Sequence, residues 1–199
     1  VAWYEKVFST GDFPLSETVW LCFDAVDYHA RVWLNGTEVG EHEGGFTPFC
    51  LNVTNAFKPG ENRLTVRVYD PLDNAEITIG KQGSWYTRVS GIWQSVRLES
   101  RPAMHVVRAL VTPSASRDSI AVRVTTSQPA AGAKVECRIC DHQTETNHYT
   151  YSGTLDGQAG EFAIPMPDAV CWSPENPHLY DMHITVADDV YTTYFGMRT

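Results

Sequence analysis

The chain has 199 residues, of which 43% are hydrophobic and 20% are charged, and its formal net charge is −9. This composition is typical of a globular protein with one large domain or two ordinary ones, and it supports a sizeable core without cross-links. The negative net charge argues against a protein that binds the phosphate backbone of nucleic acids, because such proteins need clustered lysine and arginine. No apolar run approaches the roughly 20 residues that cross a bilayer, so no membrane partner is expected.

Short runs with alternating apolar residues recur along the chain, and no long stretch keeps a helical period. In the first half such runs cover residues 19–23 and 64–68. The clearest local unit is VWLNGTEVG, in which Asn35-Gly36 suits a type I′ turn and predicts a hairpin. Pro59-Gly60 predicts another turn just before a strand. The pattern indicates an all-β protein.

The segment GEHEGGFTPF, residues 40–49, follows a predicted strand and combines polar with flexible residues. His42 and Glu43 precede Gly44-Gly45, whose backbone can adopt positive φ and approach another surface closely. A turn-rich connection between strands explains the glycines well but leaves the polar pair unexplained. His42 and Glu43 are therefore candidate binding residues.

The segment GKQGSWYTRVSGIWQSV, residues 80–96, gathers large aromatic and polar side chains without a regular period until its last residues. Trp85 and Tyr86 offer ring faces for the C–H side of a pyranose, as in a sugar site, or they cover the end of the core. Trp93 alternates with small and apolar neighbours and is assigned to packing. The polar residues that could hydrogen-bond to sugar hydroxyls are Lys81, Gln82 and Arg88.

Arg101-Pro102 interrupts the strand pattern and marks a predicted domain boundary. From about residue 104 to 196 we predict about seven short strands, spaced as in an immunoglobulin-type sandwich. This half lacks the cysteine and tryptophan spacing of antibody domains, so only the architecture is inferred. WSPENPHLY contains closely spaced turn formers and should be an ordered loop.

Five widely spread cysteines do not look like a disulfide framework, and we interpret them as mostly buried, reduced thiols. Cys137 and Cys140 form a C-x-x-C motif that could hold a metal or act in redox chemistry. However, Cys137 belongs to the inward face of a strand, and alternation sends Cys140 to the opposite side. A structural role is therefore favoured.

No signature of common catalytic chemistry is present in the sequence. The seven histidines show no metal-binding spacing, and neither a G-x-S-x-G nucleophile motif nor a phosphate-binding glycine loop occurs. We predict no catalytic residue, no metal site and no cofactor in this chain.

Three segments closely resemble the amino-terminal sugar-binding domain of glycoside hydrolase family 2: VDYHARVWLNGTEVGEHEGGFTPF, GENRLTVRVYDP and GKQGSWYTRVSGIWQSVRLE. WSPENPHLYDMHITV and the final YFGMRT resemble the end of the family's immunoglobulin-like domain. The resemblance implies a jelly-roll, galactose-binding-like β-sandwich at residues 1–101, expected to lack its first strand. An immunoglobulin-like β-sandwich is then expected at residues 102–199.

The family includes β-galactosidases, β-glucuronidases and β-mannosidases, in which these domains precede a catalytic (β/α)₈ barrel. The resemblance implies that the barrel, with its two glutamates for a retaining double displacement, begins just after Thr199. The family's acid/base glutamate follows an asparagine, and this sequence contains no Asn-Glu dipeptide. We therefore expect the chain alone to be inactive, and its partners to be a β-linked glycoside and its own barrel.

In the family, the loop before the serine-glycine-isoleucine motif extends toward the barrel and helps to close the substrate pocket. By position, residues 90–92 form the anchoring turn and residues 81–88 the reaching segment. The family commonly places a substrate-contacting aspartate where this sequence has Trp85, so stacking by Trp85 or Tyr86 could replace that contact. The resemblance leaves the sugar open among galactose, glucuronate and mannose.

Two other hypotheses remain from the sequence alone. In one, the chain is a freestanding lectin-like carbohydrate-binding module with a self-sufficient aromatic site. In the other, it is a structural spacer of two sandwiches in which the aromatic cluster is merely packed. Cellular location and oligomeric state are left open by the sequence.

Overall fold

The computed structural model describes residues 1–11, 17–71, 79 and 86–198. Every helix or strand assigned within these ranges is a β-strand, which confirms the all-β prediction. The chain divides into two compact units, Val1–Arg101 and Pro102–Thr199. The strands of the first unit are β1 (Ala2–Ser9), β2 (Thr18–Phe23), β3 (Val26–Asp27), β4 (His29–Leu34), β5 (Thr37–Glu43), β6 (Phe49–Asn52), β7 (Glu61–Tyr69), β8 (Gly91–Ile92) and β9 (Val96–Arg101).

The first unit is a jelly-roll β-sandwich whose sheets bury one face each. One sheet has the strand order β1-β7-β4-β5, a second has the order β6-β2-β9, and β3 pairs with β8. Side chains alternate between two faces along a strand, so every second residue of β4 and β7 is buried. The buried core residues are Val19, Leu21, Phe23, Val26, Ala30, Val32, Leu34, Val53, Leu64, Val66 and Val68.

The predicted hairpin at Asn35-Gly36 is confirmed. Leu34 pairs with Thr37, so the turn between β4 and β5 has two residues. Asn35 and Gly36 have φ angles of 53° and 83°, as a type I′ turn requires at both central positions. The Asn35 side chain also donates to Ala56 O at 2.8 Å, which ties the turn to the rest of the unit.

A groove of about 590 Å³ opens on one side of the jelly roll. β1 and β9 are the outermost strands of their sheets on this side, so the interior between the sheets is reached from solvent. The groove is lined mainly by apolar residues that include Tyr4, Phe8, Leu21, Leu64, Val66 and Leu98.

The second unit is an immunoglobulin-like β-sandwich. Its sheets have the orders β10-β11-β14 and β13-β12-β15-β16, and their buried faces form one core. The seven strands agree with the predicted number within the part of the chain that is described. They are β10 (Val106–Pro113), β11 (Ser119–Thr126), β12 (Lys134–Asp141), β13 (Asn147–Thr154), β14 (Ala159–Pro165), β15 (Tyr180–Val186) and β16 (Asp189–Phe195).

The WSPENPHLY segment is an ordered loop, as predicted. Trp172 N donates to Met197 O at 3.0 Å, which holds the start of the loop against the end of the chain. Within the loop, Ser173 N donates to Asn176 O at 2.9 Å. These backbone hydrogen bonds replace those of a regular element.

Two of the five cysteines differ from the prediction of reduced thiols. Cys22 and Cys50 lie opposite each other on β2 and β6 and form a disulfide. Their separation of 28 residues in sequence gave no sign of this pairing, because strand register and not sequence distance brings them together. The other three cysteines, Cys137, Cys140 and Cys171, are free.

The C-x-x-C motif in β12 is structural, although one detail of the prediction is wrong. Cys137 faces the core as expected, and burial raises the pKa of its thiol to about 11, so the reactive thiolate is disfavoured. Cys140 is buried as well. Strict alternation would put it on the outer side, but the pairing of β12 with β13 shifts register between Ile139 and Cys140.

Candidate functional site

The candidate site lies in the first unit, where the short strands β3 and β8 pair. Asp27 of β3 lies opposite Gly91 of β8 and is only 7% exposed. Asp70 follows β7 directly, and its side chain is 4% exposed because the two-residue period of that strand continues inward to it. Two carboxylates are thus buried near the segment that precedes β8.

Arg88 is the cation associated with these carboxylates. Its Nη2 lies 3.6 Å from Asp70 Oδ1, an ion-pair distance beyond that of a hydrogen bond. Among the described residues, Asp27 Oδ1 and both carboxylate oxygens of Asp70 have no hydrogen-bond partner. Burial raises the pKa of Asp27, the negative charge of Asp70 raises it further, and the positive charge of Arg88 partly opposes both effects.

The glycine pair of the 40–49 segment closes over Asp27. A Cβ on Gly45 would lie 2.5 Å from Asp27 Oδ1, so only glycine fits there. Gly44 N donates to Tyr28 O at 3.0 Å, and Trp93 Nε1 donates to Gly45 O at 2.8 Å. The predicted close approach of this backbone to another surface is therefore confirmed, and that surface is Asp27.

His42 and Glu43 are both held by neighbours in this region. The Tyr28 hydroxyl donates to Glu43 Oε1 at 2.9 Å. The His42 ring stacks on Phe49 with centroids 4.2 Å apart, and its Nε2 lies 3.1 Å from Thr47 Oγ1. Burial lowers the pKa of His42, and a hydrogen bond with the Gly44 backbone only partly opposes this, so the neutral ring is favoured at neutral pH.

Among its described residues, the 80–96 segment contributes a strongly exposed tyrosine ring and a largely buried arginine side chain. Tyr86 is 67% exposed, which excludes a role in covering the core. The Arg88 side chain is only 18% exposed. Lys81, Gln82 and Trp85 lie outside the described residues, so their predicted roles stay predictions.

Trp93 is held in place by a hydrogen bond from its indole N–H and by a contact of its ring. Its indole N–H is bound to the backbone, and its ring meets Phe46 edge-on with centroids 5.8 Å apart and an interplanar angle of 67°. The ring is 39% exposed. Trp93 thus braces the 44–47 turn against β8, which agrees with its assignment to packing.

Sequence reasoning missed Asp27 and Asp70, because carboxylates of a β-sandwich are usually solvated. A signal for Asp70 was present, since it continues the inward series Leu64, Val66 and Val68. Both carboxylates are buried: Asp70 faces Arg88, and Asp27 faces the neighbouring turn at Gly45.

The described residues contain one group of three possible metal ligands, Cys22, Cys50 and Glu99. The disulfide between the two cysteines removes the thiolates that a metal would need. In the described part of the chain, no helix has the length and hydrophobicity needed to cross a membrane.

The chain thus consists of a jelly roll followed by an immunoglobulin-like sandwich. Comparison with protein families is consistent with this: "Glycosyl hydrolase 2 galactose-binding domain-like" matches residues 1–108, and "Glycosyl hydrolases family 2" matches residues 104–198. The chain belongs to glycoside hydrolase family 2, which confirms the resemblance seen in the sequence.

Curated relatives and solved structures agree with this membership. A β-galactosidase of Thermoanaerobacter pseudethanolicus is 27% identical over the whole chain and a β-glucuronidase of Paenibacillus borealis is 25% identical over 99% of it. The chain spans 28% and 36% of the lengths of these two relatives. The structure of a β-glucuronidase from Ruminococcus gnavus in complex with uronic deoxynojirimycin has the same fold, with a TM-score of 0.77 and 24% identity over 99% of the chain and 36% of that protein.

Proposed function

We propose that the chain is the non-catalytic, amino-terminal part of a retaining exo-β-glycosidase resembling β-galactosidase. The observation that carries this proposal is coverage: relatives match the whole chain, yet the chain spans only 19% of one of them and 28% of another. In the proposal, a catalytic barrel outside this chain supplies the two glutamates that hydrolyse a β-linked glycoside. The jelly roll supplies one wall of the substrate pocket.

Tyr86 and Arg88 support the pocket-wall role. The exposed tyrosine ring can stack on the apolar face of a sugar, and the guanidinium can donate hydrogen bonds to its oxygens. Buried Asp70 and Asp27 hold Arg88 near the start of β8, so the segment carries its polar group in a fixed position. In the proposal, Lys81, Gln82 and Trp85 extend the same wall, and His42 and Glu43 stabilise the adjacent turn.

The groove between β1 and β9 bears on the domain organisation. The mainly apolar groove between these two edge strands supports the expectation that the sandwich lacks one strand. We propose that a further strand, from outside this chain, fills the groove in the longer protein. The immunoglobulin-like sandwich of residues 102–199 then links the completed jelly roll to the barrel.

The pocket-wall proposal is tested with the longer protein and with the 199-residue chain, using p-nitrophenyl β-galactoside, β-glucuronide and β-mannoside. We expect the longer protein to hydrolyse at least one of them and the chain alone to hydrolyse none. In the longer protein, Tyr86→Ala should lower kcat/KM by about tenfold, the size of a lost stacking contact.

Tyr194→Ala is the matched control, because this residue of β16 is also 67% exposed but lies in the second unit. It should leave kcat/KM unchanged. Hydrolysis by the chain alone would contradict the non-catalytic assignment, and an unchanged kcat/KM in Tyr86→Ala would contradict the pocket wall.

A further inference from the structure

The outer side of the sheet β1-β7-β4-β5 carries aromatic residues that do not belong to the site at β3 and β8. Strand register places Trp3 of β1 opposite Arg67 of β7, and Trp33 of β4 opposite Thr65 of β7. The two indole rings meet across β7, with centroids 5.7 Å apart and planes tilted by 31°. Tyr69 ends the same strand. We call Trp3, Trp33 and Tyr69 the aromatic face.

The aromatic face is open to solvent and adds little to the core. Trp3 is 63% exposed and Tyr69 is 42% exposed, and Trp33 is partly exposed between its neighbours. Single exposed apolar residues are common on protein surfaces, but neighbouring large rings on one sheet face indicate an interaction surface.

Arginine side chains lie beside two of the three rings. The Arg31 guanidinium lies over the Trp33 ring, 5.4 Å from its centroid, and its Nη2 donates to the two carboxylate oxygens of Glu38 at 2.8 and 2.7 Å. The Arg67 guanidinium lies 5.9 Å from the centroid of Tyr69. The Arg31–Glu38 pair is already held in place, so a ligand that hydrogen-bonds to it restricts little further side-chain freedom.

Two arginines on this side of the sheet are paired with carboxylates, which restricts the chemistry of the ligand. Arg63 donates to Glu5 at 2.6 Å, and Arg31 is paired with Glu38 and lies 3.8 Å from Glu41. A balanced surface of this kind gives no attraction to nucleic acid, to an anionic membrane or to a strongly charged peptide. Flat rings with interleaved hydrogen-bonding groups suit a neutral molecule with apolar faces and hydroxylated edges.

We propose that the aromatic face binds a neutral β-linked oligosaccharide, with Trp3 and Trp33 stacking on successive sugar rings and Arg31, Arg67 and Glu38 contacting hydroxyls. This surface is distinct in its residues from the pocket wall at Tyr86. It would hold the chain of a polymeric substrate rather than the sugar that is cleaved. The proposal does not depend on hydrolysis by the longer protein.

The test is a titration of the ¹⁵N-labelled 199-residue chain with cellohexaose, β-1,4-galactohexaose and β-1,4-mannohexaose, followed by NMR. At least one of them should shift the indole N–H signals of Trp3 and Trp33 with saturation. Trp3→Ala, at an exposed position that the core does not need, should weaken binding about tenfold. Tyr194→Ala, at an exposed ring of the second unit, should bind as the unchanged chain does.

Three outcomes would overturn the proposal. The first is no saturable binding of any hexasaccharide up to about 10 mM, a concentration that reveals even weak affinity. The second is binding that survives both Trp3→Ala and Trp33→Leu. The third is concentration-dependent self-association in sedimentation that Trp3→Ala abolishes, since the face would then be covered by a second copy.

Discussion

The two units have similar lengths but distribute their large side chains differently. Within the described residues, the core cluster of the second unit contains seventeen buried residues and that of the first contains eleven. The first unit instead exposes Trp3 and Tyr86, leaves a groove between β1 and β9 and buries Asp27 among apolar strands. The second unit thus has the larger described core, whereas the first combines exposed aromatic residues with an open groove and a buried carboxylate.

The difference teaches that the same strand alternation can serve two purposes. In β15 of the second unit, the inward positions hold Met182, Ile184 and Val186, and all are fully buried. In β7 of the first unit, the inward series ends in Asp70, and the outward series ends in Tyr69. The same alternation can therefore end in a charged and an aromatic residue in one unit and stay apolar in the other.

The largest expected effect is a loss of unfolding free energy when a core side chain is truncated, and its size should differ between the two units. Ile184→Ala removes a fully buried side chain from a central strand and should cost about 4 kcal/mol of unfolding free energy. Leu64→Ala, at a residue that lines the open groove, should cost about 2 kcal/mol, because water already reaches this side. Hydrogen exchange resolved by unit, with urea as denaturant, measures both values. Equal costs would show that the groove is closed in solution.

A smaller effect is expected at the turn that covers Asp27. Gly45→Ala places a methyl group against the Asp27 carboxylate and should destabilise the first unit by about 2 kcal/mol. In the Asp27→Ala background, which lacks the carboxylate, Gly45→Ala should lower the free energy of unfolding much less. Urea unfolding of both single variants and the double variant forms a double-mutant cycle that measures this difference. Additive costs would mean that the two groups are not in contact.

The smallest effect concerns pH. The raised pKa of Asp27 means that the folded chain binds more protons than the unfolded chain between the ordinary aspartate pKa and the raised one. The protonated Asp27 carboxyl contributes fully to the free energy of unfolding when the pH is below the ordinary aspartate pKa. This contribution is lost as the pH rises through the raised pKa.

Asp27→Asn stays neutral throughout, so its unfolding free energy should fall less steeply than that of the unchanged chain as the pH rises from about 4. Urea unfolding at several pH values measures the slope. Asp188→Asn, which changes an exposed carboxylate of the second unit, should leave the slope unaltered. A parallel pH profile for Asp27→Asn would show that Asp27 is ionised without penalty.

Much of the fold could be predicted from the sequence because it depends on local patterns. The Asn35-Gly36 turn, the alternating strands and the family motifs are all readable within a few residues. The disulfide between Cys22 and Cys50 and the pairing of Asp70 with Arg88 could not be predicted in this way. They depend on strand register and on side chains brought together from distant segments.

The candidate site was only half visible for the same reason. Tyr86, Arg88, His42 and Glu43 stood out as polar and aromatic residues near glycines. Buried Asp27 has no local signature, because Gly45, whose backbone lies against its carboxylate, is eighteen positions away in the sequence. A close contact of this kind is a property of the folded chain.

The turn at Asn35 has a consequence for producing this protein in a secreting eukaryotic host. Asn35-Gly36-Thr37 is an acceptor sequence for N-linked glycans, but its amide nitrogen donates to both Ala56 O and Asn62 Oδ1. A glycan on that nitrogen would break these bonds and hold the hairpin away from β7. The folded first unit therefore shields this site, and a glycosylated Asn35 would identify molecules modified before the jelly roll had closed.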